Sequence, residues 1–329
     1  MVQNRMDFIL EVKDLKTYFT MQEGVVKAVD GISFSLDPGE VLGLVGESGS
    51  GKSMTCRSIM RVIPAPGEIV EGHIYYRGED ILTWSESRMT QFRGSEVSMI
   101  LQEPMTALNP VLTIGEQIVE TIVQHEDLSR NQARESAIDL LRLVGIPSPE
   151  RRIQEYPHQF SGGMRQRAMI AIALACRPQV LLADEPTTAL DVTIQDQIIR
   201  LIADLQRELE MSVIWVTHDL GVVAQICDRV AVMYAGRIME LATVIELFEN
   251  SRHPYTYGLM ESIPTGVSRE GRLIPIPGQP PNLLNLAPGC PFAPRCRYAM
   301  DDCLTADVTL RVASVGHYSA CIRFEEIWN

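Results

Sequence analysis

The residues best suited to chemistry lie in one short loop, Gly46–Ser53, which has the sequence GESGSGKS. This loop fits the phosphate-binding pattern G-x-x-x-x-G-K-[ST] at every fixed position. Its glycines let backbone N–H groups point at phosphate oxygens, and the helix that follows adds the positive end of its dipole. We expect Lys52 to reach the β- and γ-phosphates and Ser53 to ligate Mg²⁺. The predicted phosphate-contacting residues are Gly46, Ser48, Gly49, Ser50, Gly51, Lys52 and Ser53.

The flanking sequence has the organisation that such a loop requires. The apolar run Val41–Val45 predicts a buried strand before the loop, and Met54–Val62 predicts a helix after it. A strand, a glycine-rich loop and a helix in this order favour phosphate binding over a Gly-Ser turn without a ligand.

Two acidic residues end another apolar run. Val180–Ala183 predicts a buried strand, and Asp184 and Glu185 follow it directly. Beside a phosphate loop, Asp184 would hold Mg²⁺ through water, and Glu185 would polarise the water that attacks the γ-phosphate. The alternative is a solvated acidic turn, which the presence of the phosphate loop disfavours.

Three further candidates carry weaker signals. His218 follows the predicted strand Val213–Thr217, and Gln102 follows Val97–Leu101, at the strand ends where α/β sheets bind ligands. The Gln102 amide would bind Mg²⁺ or the attacking water. Ser161–Gly163 opens a helix and resembles a second anion site. Taken alone, two of these patterns are better explained by a structural histidine and an N-cap serine.

The elements that position these residues alternate between strands and helices. Residues 8–100 are β-rich, 113–175 are mostly helical, and a helix is predicted at Ile194–Leu209 between two apolar strands. This order predicts an α/β fold with a sheet covered on both faces. Prolines accumulate after Ser251, so we place a domain boundary there, giving domains 1–250 and 251–329. Further strands are predicted at Phe8–Leu15, Gly31–Leu36, His73–Tyr76, Val230–Tyr234 and Arg237–Glu240.

Composition argues against two classes of protein. The chain has 329 residues, 46% of them hydrophobic, and a formal net charge of −13. This acidic balance argues against a broad nucleic-acid surface, which needs a basic face. No run of 18 apolar residues occurs, so we do not expect the chain alone to span a membrane.

Four of the seven cysteines crowd the last 40 residues, at Cys290, Cys296, Cys303 and Cys321. No secretory signal is evident, so a metal is favoured over disulfides. The spacing contains neither a CxxC pair nor a Cys/His finger, and four thiolates suit a [4Fe–4S] cluster or Zn²⁺, with free thiols as the remaining alternative. Arg295 and Arg297 would either offset thiolate charge or be solvated. The other cysteines, expected to be small buried hydrophobes, are Cys56, Cys176 and Cys227.

Together these motifs resemble the ATP-binding subunit of ABC transporters. The resemblance implies a P-loop nucleotide-binding domain with a RecA-like sheet core, an antiparallel β subdomain and a helical subdomain at about 103–175. It implies that Glu185, His218 and Gln102 are catalytic, and that Ser53, Gln102 and Asp184 hold Mg²⁺. The matching motifs are Walker A (Gly46–Ser53), the Q-loop (Gln102), the signature (Ser161–Gly163), Walker B (Val180–Glu185), the D-loop (Ala189–Asp191) and the switch histidine (His218).

The same resemblance implies an assembly. Two ATPase subunits would pair head to tail, with each ATP held by Walker A of one subunit and Ser161, Gly162 and Gly163 of the other. Asp191 would join this site, and Phe19, with Tyr18 as the alternative, would stack on adenine. The signature departs from the commonest form in having Phe160 and Met164, changes that leave the serine and backbone contacts in place.

Within that family the chain resembles the oligopeptide/dipeptide/nickel importer branch, and within it the dipeptide-type D subunit. The resemblance rests on Gln102–Pro110, Tyr156–Met164, His253–Thr256 and the Pro/Cys tail. It implies a second ATPase chain, two permeases contacted near Gln102–Pro110, and an extracytoplasmic peptide-binding protein. Such a subunit is peripheral, at the cytoplasmic face of a bacterial inner membrane, and some relatives carry an iron–sulfur cluster on this tail.

Three alternatives remain at this point. The same machine would import nickel or another small solute. An exporter is less expected, because exporter ATPases are often fused to their membrane domain. A soluble ABC ATPase acting on DNA or ribosomes is disfavoured, because the chain has neither a long coiled-coil insertion nor a second cassette.

Overall fold

The alternation of short buried strands and amphipathic helices is present in the computed structural model, which describes residues 8–188, 190–262, 275–284 and 286–328. Ala189 of the predicted D-loop and residues 1–7, where a secretory signal would begin, lie outside the described residues. The chain divides into two compact units that are not contiguous in sequence. Unit 1 holds the described start of the chain, Leu36–Glu40 and Arg77–Val216, and unit 2 holds Leu10–Ser35, Val41–Tyr76 and the chain from Thr217 onward.

Unit 1 contains three parallel strands and a set of helices. Strands β6, β7 and β8 run in parallel in this order, with Val97 opposite Val180 and Val180 opposite Ser212. Every residue of β7 and β8 is buried, which explains the apolar runs Val180–Ala183 and Val213–Val216 within them. The elements are β5 (Glu79–Asp80), α2 (Glu86–Ser95), β6 (Val97–Ile100), α3 (Pro104–Ala107), α4 (Ile114–His125), α5 (Arg130–Leu143), α6 (Pro149–Arg152), α7 (Gly162–Ala173), β7 (Val180–Asp184), α8 (Val192–Glu208) and β8 (Ser212–Thr217).

The helical part of unit 1 forms where the sequence has helical periodicity and capping residues. Thr113 and Ser129 each accept a bond from the backbone N–H three residues later, and each forms a capping box that starts α4 or α5. The buried faces of these two helices carry their regularly spaced apolar residues, including Ile118 of α4 and Ala137 of α5.

Unit 2 contains two sheets. In one, β1 lies between β2 and β4 and pairs with β4 in the antiparallel sense. In the other, β3 is parallel to β9, and β10, β12 and β11 follow as antiparallel neighbours. The elements are β1 (Leu10–Met21), β2 (Gly24–Leu36), β3 (Val41–Val45), α1 (Lys52–Ile59), β4 (Gly67–Tyr76), α9 (Leu220–Ile226), β9 (Arg229–Tyr234), β10 (Arg237–Thr243), α10 (Val244–Asn250), α11 (Pro254–Glu261), β11 (Arg311–Ser314), β12 (His317–Ser319) and α12 (Phe324–Ile327).

The described part of the chain after α11, residues 275–284 and 286–328, has little regular structure, as its prolines predict. It forms two short 3₁₀ turns, Ala293–Arg295 and Asp301–Leu304, before β11 and β12. Because β12 pairs with β10, this extension continues a sheet of unit 2. The predicted division of the chain at residue 250 stays a prediction. None of the described helices combines the length and the apolar character needed to cross a membrane.

Candidate functional site

The phosphate loop leaves β3 at Val45 and enters α1 at Lys52. Two of its glycines are required by close backbone contacts. A Cβ on Gly46 would lie 2.1 Å from the Met233 carbonyl oxygen, and one on Gly51 would lie 2.4 Å from that of Ala28. Both have positive φ, 153° and 105°. Only glycine fits at these two positions, so the sequence pattern has a steric cause.

Lys52 closes the loop on itself. Its ammonium donates to the carbonyl oxygens of Gly46 at 2.8 Å and Glu47 at 3.0 Å, and only 5% of the residue is exposed. The carbonyl oxygen of Ser50 accepts from the Gly236 N–H at 2.9 Å, which fixes the loop to the turn between β9 and β10. The loop is therefore held in one conformation by its own lysine and by that turn.

The second group of candidates lies in unit 1, where β7 ends. Gln102 donates from its side-chain amide to Glu185 Oε2 at 3.0 Å, and the Thr188 hydroxyl donates to the same oxygen at 2.8 Å. Glu185 has φ 46°, in the left-handed region that a residue other than glycine rarely adopts. Asp184, the last residue of β7, is 3% exposed. The structure thus joins the predicted water-activating carboxylate to the predicted Q-loop amide.

The predicted signature forms the start of α7. The Ser161 hydroxyl accepts from the Met164 N–H at 3.3 Å, which makes Ser161 the N-cap. A Cβ on Gly163 would lie 3.0 Å from Ile194 Cγ2 of α8. The side chain of Asp191 caps that helix by accepting from the Ile194 N–H at 3.0 Å. The signature and the D-loop aspartate therefore meet at the packed starts of α7 and α8, with Ser161 and Gly162 exposed.

The remaining predicted nucleotide contacts belong to unit 2. His218 is exposed and directly follows β8. Phe19, on β1, is half-buried and lies opposite Gly67 of β4, where a side chain would come within 2.6 Å of its ring. The Tyr18 hydroxyl donates to Asp30 at 2.5 Å, so this alternative adenine-stacking residue is tied to a carboxylate of its own unit.

The four clustered cysteines line one cavity of unit 2. Cys296 Sγ accepts from the Tyr298 N–H, and Cys321 Sγ from the Arg323 N–H, both at 3.4 Å. Burial raises the pKa of Cys290 to about 11 and that of Cys321 to about 12. In the described part of the chain, however, no three or more His, Cys, Asp or Glu residues are grouped closely enough to hold a metal ion.

The structure also corrects two expectations about single residues. Arg295 is neither solvated nor directed at the thiolates: it is 9% exposed and forms a bidentate ion pair with Glu47 of the phosphate loop, which holds the pKa of Arg295 above its usual value. Cys176 is half-buried rather than buried, unlike Cys56 and Cys227. Glu47 has no identifying signal in the sequence, because it occupies a variable position of the motif.

Two family models match the chain. The ABC transporter model matches residues 29–188, which include the phosphate loop, Gln102, the signature and Asp184–Glu185. The model of the oligopeptide/dipeptide transporter C-terminal region matches residues 239–303, which include three of the four clustered cysteines.

Similar proteins are named as peptide-transport components. The oligopeptide transport ATP-binding protein OppD of Bacillus subtilis is 54% identical over 90% of this chain and 83% of its own length. The dipeptide transport ATP-binding protein DppD of the same species is 50% identical over 91% of this chain and 89% of its own length. OppD of Escherichia coli is 46% identical over 98% and 95%.

Solved structures share the cassette fold. A dimeric ATP-binding cassette in a post-hydrolysis state, bound to ADP and Pi, matches with a TM-score of 0.65 and 26% identity, over 71% of this chain and 98% of its own. A cassette of the CbiONQ transporter complex from Clostridium perfringens matches with a TM-score of 0.63 and 28% identity, over 74% and 92%.

Proposed function

This chain belongs to the ABC transporter family, and we propose that it is an ATP-hydrolysing subunit that energises the import of dipeptides or oligopeptides through a membrane. The observation that carries this proposal is the occurrence in one chain of the ABC cassette match and the oligopeptide/dipeptide C-terminal match. Relatives about 50% identical over nine-tenths of the chain are named for oligopeptide and dipeptide transport, which favours peptides over nickel or another small solute.

The proposed ATP contacts follow from the chemistry of each residue. Lys52 neutralises phosphate charge, and the backbone N–H groups of Gly49 and Gly51 bind phosphate oxygens. The buried position of Lys52 and the strict glycine requirement at Gly51 support these roles. Ser161 supplies a hydroxyl at a helix start, where negative charge is favoured, and its exposure supports contact with a nucleotide held by a second ATPase subunit.

The hydrolytic step rests on Glu185. We propose that its carboxylate accepts a proton from the attacking water, while Gln102 and Thr188 fix its orientation through their bonds to Oε2. His218 contacts the γ-phosphate. When bound, Mg²⁺ stabilises the charge that develops on the transferred phosphoryl group. The donor set of Ser53, Gln102 and Asp184 is all oxygen, which suits this hard cation.

The proposed partners follow from the family and the branch. A subunit without a membrane-spanning helix among its described residues would drive transport only by contacting permease subunits. We propose two such permeases, a second ATPase subunit and an extracytoplasmic peptide-binding protein, with this chain peripheral on the cytoplasmic face of a bacterial inner membrane. Met105 and Val111, two exposed apolar residues in the Gln102–Pro110 region and just beyond it, support a permease contact there.

The function is tested by purification of the chain from its native membranes in mild detergent, with mass spectrometry of the proteins that accompany it. Two permeases, a second ATPase and a peptide-binding protein are expected. Uptake of labelled peptide in cells should require the chain and should fail with Glu185→Gln. A purely soluble complex, or normal peptide uptake in cells without the chain, would contradict the transport function and leave only ATPase chemistry.

We also propose that Cys290, Cys296, Cys303 and Cys321 bind an iron–sulfur cluster that stabilises the extension. Two observations support a thiolate site: the four thiols line one cavity, and two of the sulfurs accept backbone N–H bonds. Among the described residues the thiols are not close enough to hold a metal ion, so cluster binding would have to draw them together. Because their ligand forms are deprotonated, uptake of the metal would release protons and supply folding energy to a segment with little regular structure.

Anaerobic preparation followed by iron, sulfide and zinc analysis tests the cluster. Equal amounts of iron and sulfide that are lost in Cys303→Ser but kept in Cys176→Ser would support it, because Cys176 lies outside the cavity. Zinc without sulfide would assign the site to zinc, and a metal-free chain would identify four free thiols.

A further inference from the structure

One contact joins two segments that are 248 residues apart: the guanidinium of Arg295 and the carboxylate of Glu47. Nη1 lies 2.6 Å from Oε2 and Nη2 lies 3.0 Å from Oε1, so the pair is bidentate. Glu47 is the second residue of the phosphate loop, and Arg295 belongs to the C-terminal extension. The extension therefore holds the loop that is proposed to bind ATP.

The remaining donors of Arg295 are also satisfied. Nε donates to the Pro277 carbonyl oxygen at 2.9 Å, Nη2 to that of Ile276 at 3.4 Å, and Nη1 to the Tyr234 hydroxyl at 3.2 Å. With the two bonds to Glu47, five contacts match the five N–H donors of a guanidinium. A side chain that is 5% exposed and fully bonded has one orientation, so Arg295 acts as a fixed anchor rather than a surface charge.

Glu47 is held by its backbone as well as by its side chain. Its N–H donates to the Tyr255 hydroxyl at 3.0 Å, and its carbonyl oxygen accepts from Lys52 at 3.0 Å and from the Ser50 N–H at 3.2 Å. A displacement of Glu47 would therefore move Lys52 and the loop backbone. The side-chain contact to the extension is coupled directly to the group that is expected to meet the phosphates.

The extension contacts the loop at a second place. Pro280, Pro281 and Leu283 line one small cavity together with Ser48–Ser50. Leu284 forms a bridge to Val26 of β2. These contacts precede Arg295 in the chain, so the extension meets the phosphate loop at two places, along residues 275–284 and at the Arg295–Glu47 ion pair.

An aromatic cluster links this anchor to the cysteine cavity. The Phe292 ring lies 5.4 Å from that of Tyr234 and 5.2 Å from that of Tyr255, and Phe292 also lines the cavity that contains the four thiols. Arg295 and Cys296 are neighbours in sequence. The packing of the cysteine cavity and the position of the phosphate loop are thus parts of one connected structure.

We propose that Arg295 is a positioning residue for nucleotide binding: through Glu47 it holds the phosphate loop in the conformation that accepts ATP. This rests on the proposed function. A phosphate loop that is already ordered binds the nucleotide without losing further conformational entropy. Without the ion pair, the loop must become ordered on binding, which makes the free energy of ATP binding less favourable. Since the loop is held equally before and during hydrolysis, loss of the pair raises KM for ATP and leaves kcat nearly unchanged.

The test uses the full chain and measures the Kd for ATP by calorimetry, together with kcat and KM. Arg295→Gln should weaken ATP binding about tenfold, and Arg295→Lys should weaken it less, because lysine keeps the charge but not the two-pronged geometry. Arg297→Gln is the matched control. It removes an arginine two residues away that is half exposed and pairs with Glu261 at 3.2 Å.

Glu47→Gln is a second variant in case Arg295→Gln does not fold. It breaks the ion pair but leaves the arginine its contacts with Tyr234, Ile276 and Pro277, so the extension should stay folded. It should weaken ATP binding as much as Arg295→Gln, and the double variant should be no weaker than either single variant. Wild-type affinity in both single variants, or an equal loss in Arg297→Gln, would overturn the proposal. A wild-type chain that binds no ATP would instead refute the proposed function.

Discussion

The side-chain amide of Gln102 donates to Glu185 Oε2 at 3.0 Å, although 83 residues separate the two in the chain. The Thr188 hydroxyl donates to the same oxygen at 2.8 Å, so two side chains fix the orientation of this carboxylate. The left-handed backbone at Glu185 is a sparsely populated conformation, and such strain is concentrated at functional sites. This arrangement suits a carboxylate that is oriented for proton transfer.

Glu185→Gln is therefore expected to lower ATP turnover by roughly 10²–10⁴-fold while leaving ATP affinity within about twofold of wild type, because the variant keeps the shape of the side chain but loses the proton acceptor. Phosphate release and calorimetric Kd measure the two quantities. Glu210→Gln is a matched control, since Glu210 also has a left-handed backbone, with φ 52°. Normal turnover in Glu185→Gln would refute its role as the general base.

Ser161 has two separable roles, one structural and one proposed for catalysis. Ser161→Ala removes the N-cap of α7 and is expected to cost about 1 kcal/mol of unfolding free energy. Ser129→Ala removes the equivalent cap of α5, where the hydroxyl accepts from Gln132 at 3.4 Å. Both variants should lose similar stability in urea denaturation, but only Ser161→Ala should abolish ATPase activity in the assembled transporter. Equal activities would reduce Ser161 to a helix cap.

The strands that precede the phosphate loop and the acidic pair could be predicted, because their side chains are uniformly buried. Val41–Val45 is β3 to the residue, and Val180–Ala183 differs from β7 only by Asp184. The first strand was predicted to end at Leu15 but continues to Met21 as β1. The alternation of buried and exposed side chains in β1 breaks at Asp14, where φ is 47° and the register with β4 shifts, so no regular pattern runs the length of this strand.

Other parts of the site were not predictable from local pattern. The helix after the phosphate loop begins at Lys52 rather than at Met54, because the lysine and serine of the motif belong to the first helical turn but carry no hydrophobic period. The environment of Arg295 depends on Glu47, a residue 248 positions away. A partner at that distance leaves no spacing signal in one sequence.

Gly46 of the phosphate loop and Gly39, which precedes β3, should differ in how much an added Cβ destabilises the chain. Gly46→Ala places a Cβ 2.1 Å from the backbone oxygen of Met233 at φ 153°, so the variant must move the loop against β9. We expect a loss of about 3 kcal/mol, from combined strain and overpacking, and loss of ATP binding. Gly39→Ala is the control: φ is 74°, but no atom lies within 4 Å of the new Cβ.

Denaturant titration of both glycine variants measures this difference. Gly39→Ala should cost only about 1 kcal/mol, the penalty of a left-handed alanine without a clash. If the two variants lose the same stability, the cause at Gly46 is φ alone, and the contact with Met233 has no energetic role.

The free energy of unfolding should depend on pH through His253, which lies at the start of α11. The ring is 1% exposed, its Nδ1 accepts from the Tyr255 N–H at 3.1 Å as the cap of α11, and burial lowers the pKa of His253 to about 3. Between pH 3 and the ordinary value near 6.5, the unfolded chain binds a proton that the folded chain excludes. Unfolding is therefore favoured as the pH falls through this range, by up to about 1.4 kcal/mol per pH unit.

His253→Asn keeps a capping acceptor but removes the titrating ring. Above pH 7 the variant should be less stable than wild type, because the packed ring is lost from its contact with Phe292. As the pH falls from 6.5 to 4, the deficit should shrink or reverse, and urea midpoints measured across this range report it. His158→Asn, which removes an exposed imidazole, should leave the pH dependence unchanged. If the curves of wild type and His253→Asn ran parallel, the neutral buried histidine would not be a source of acid sensitivity.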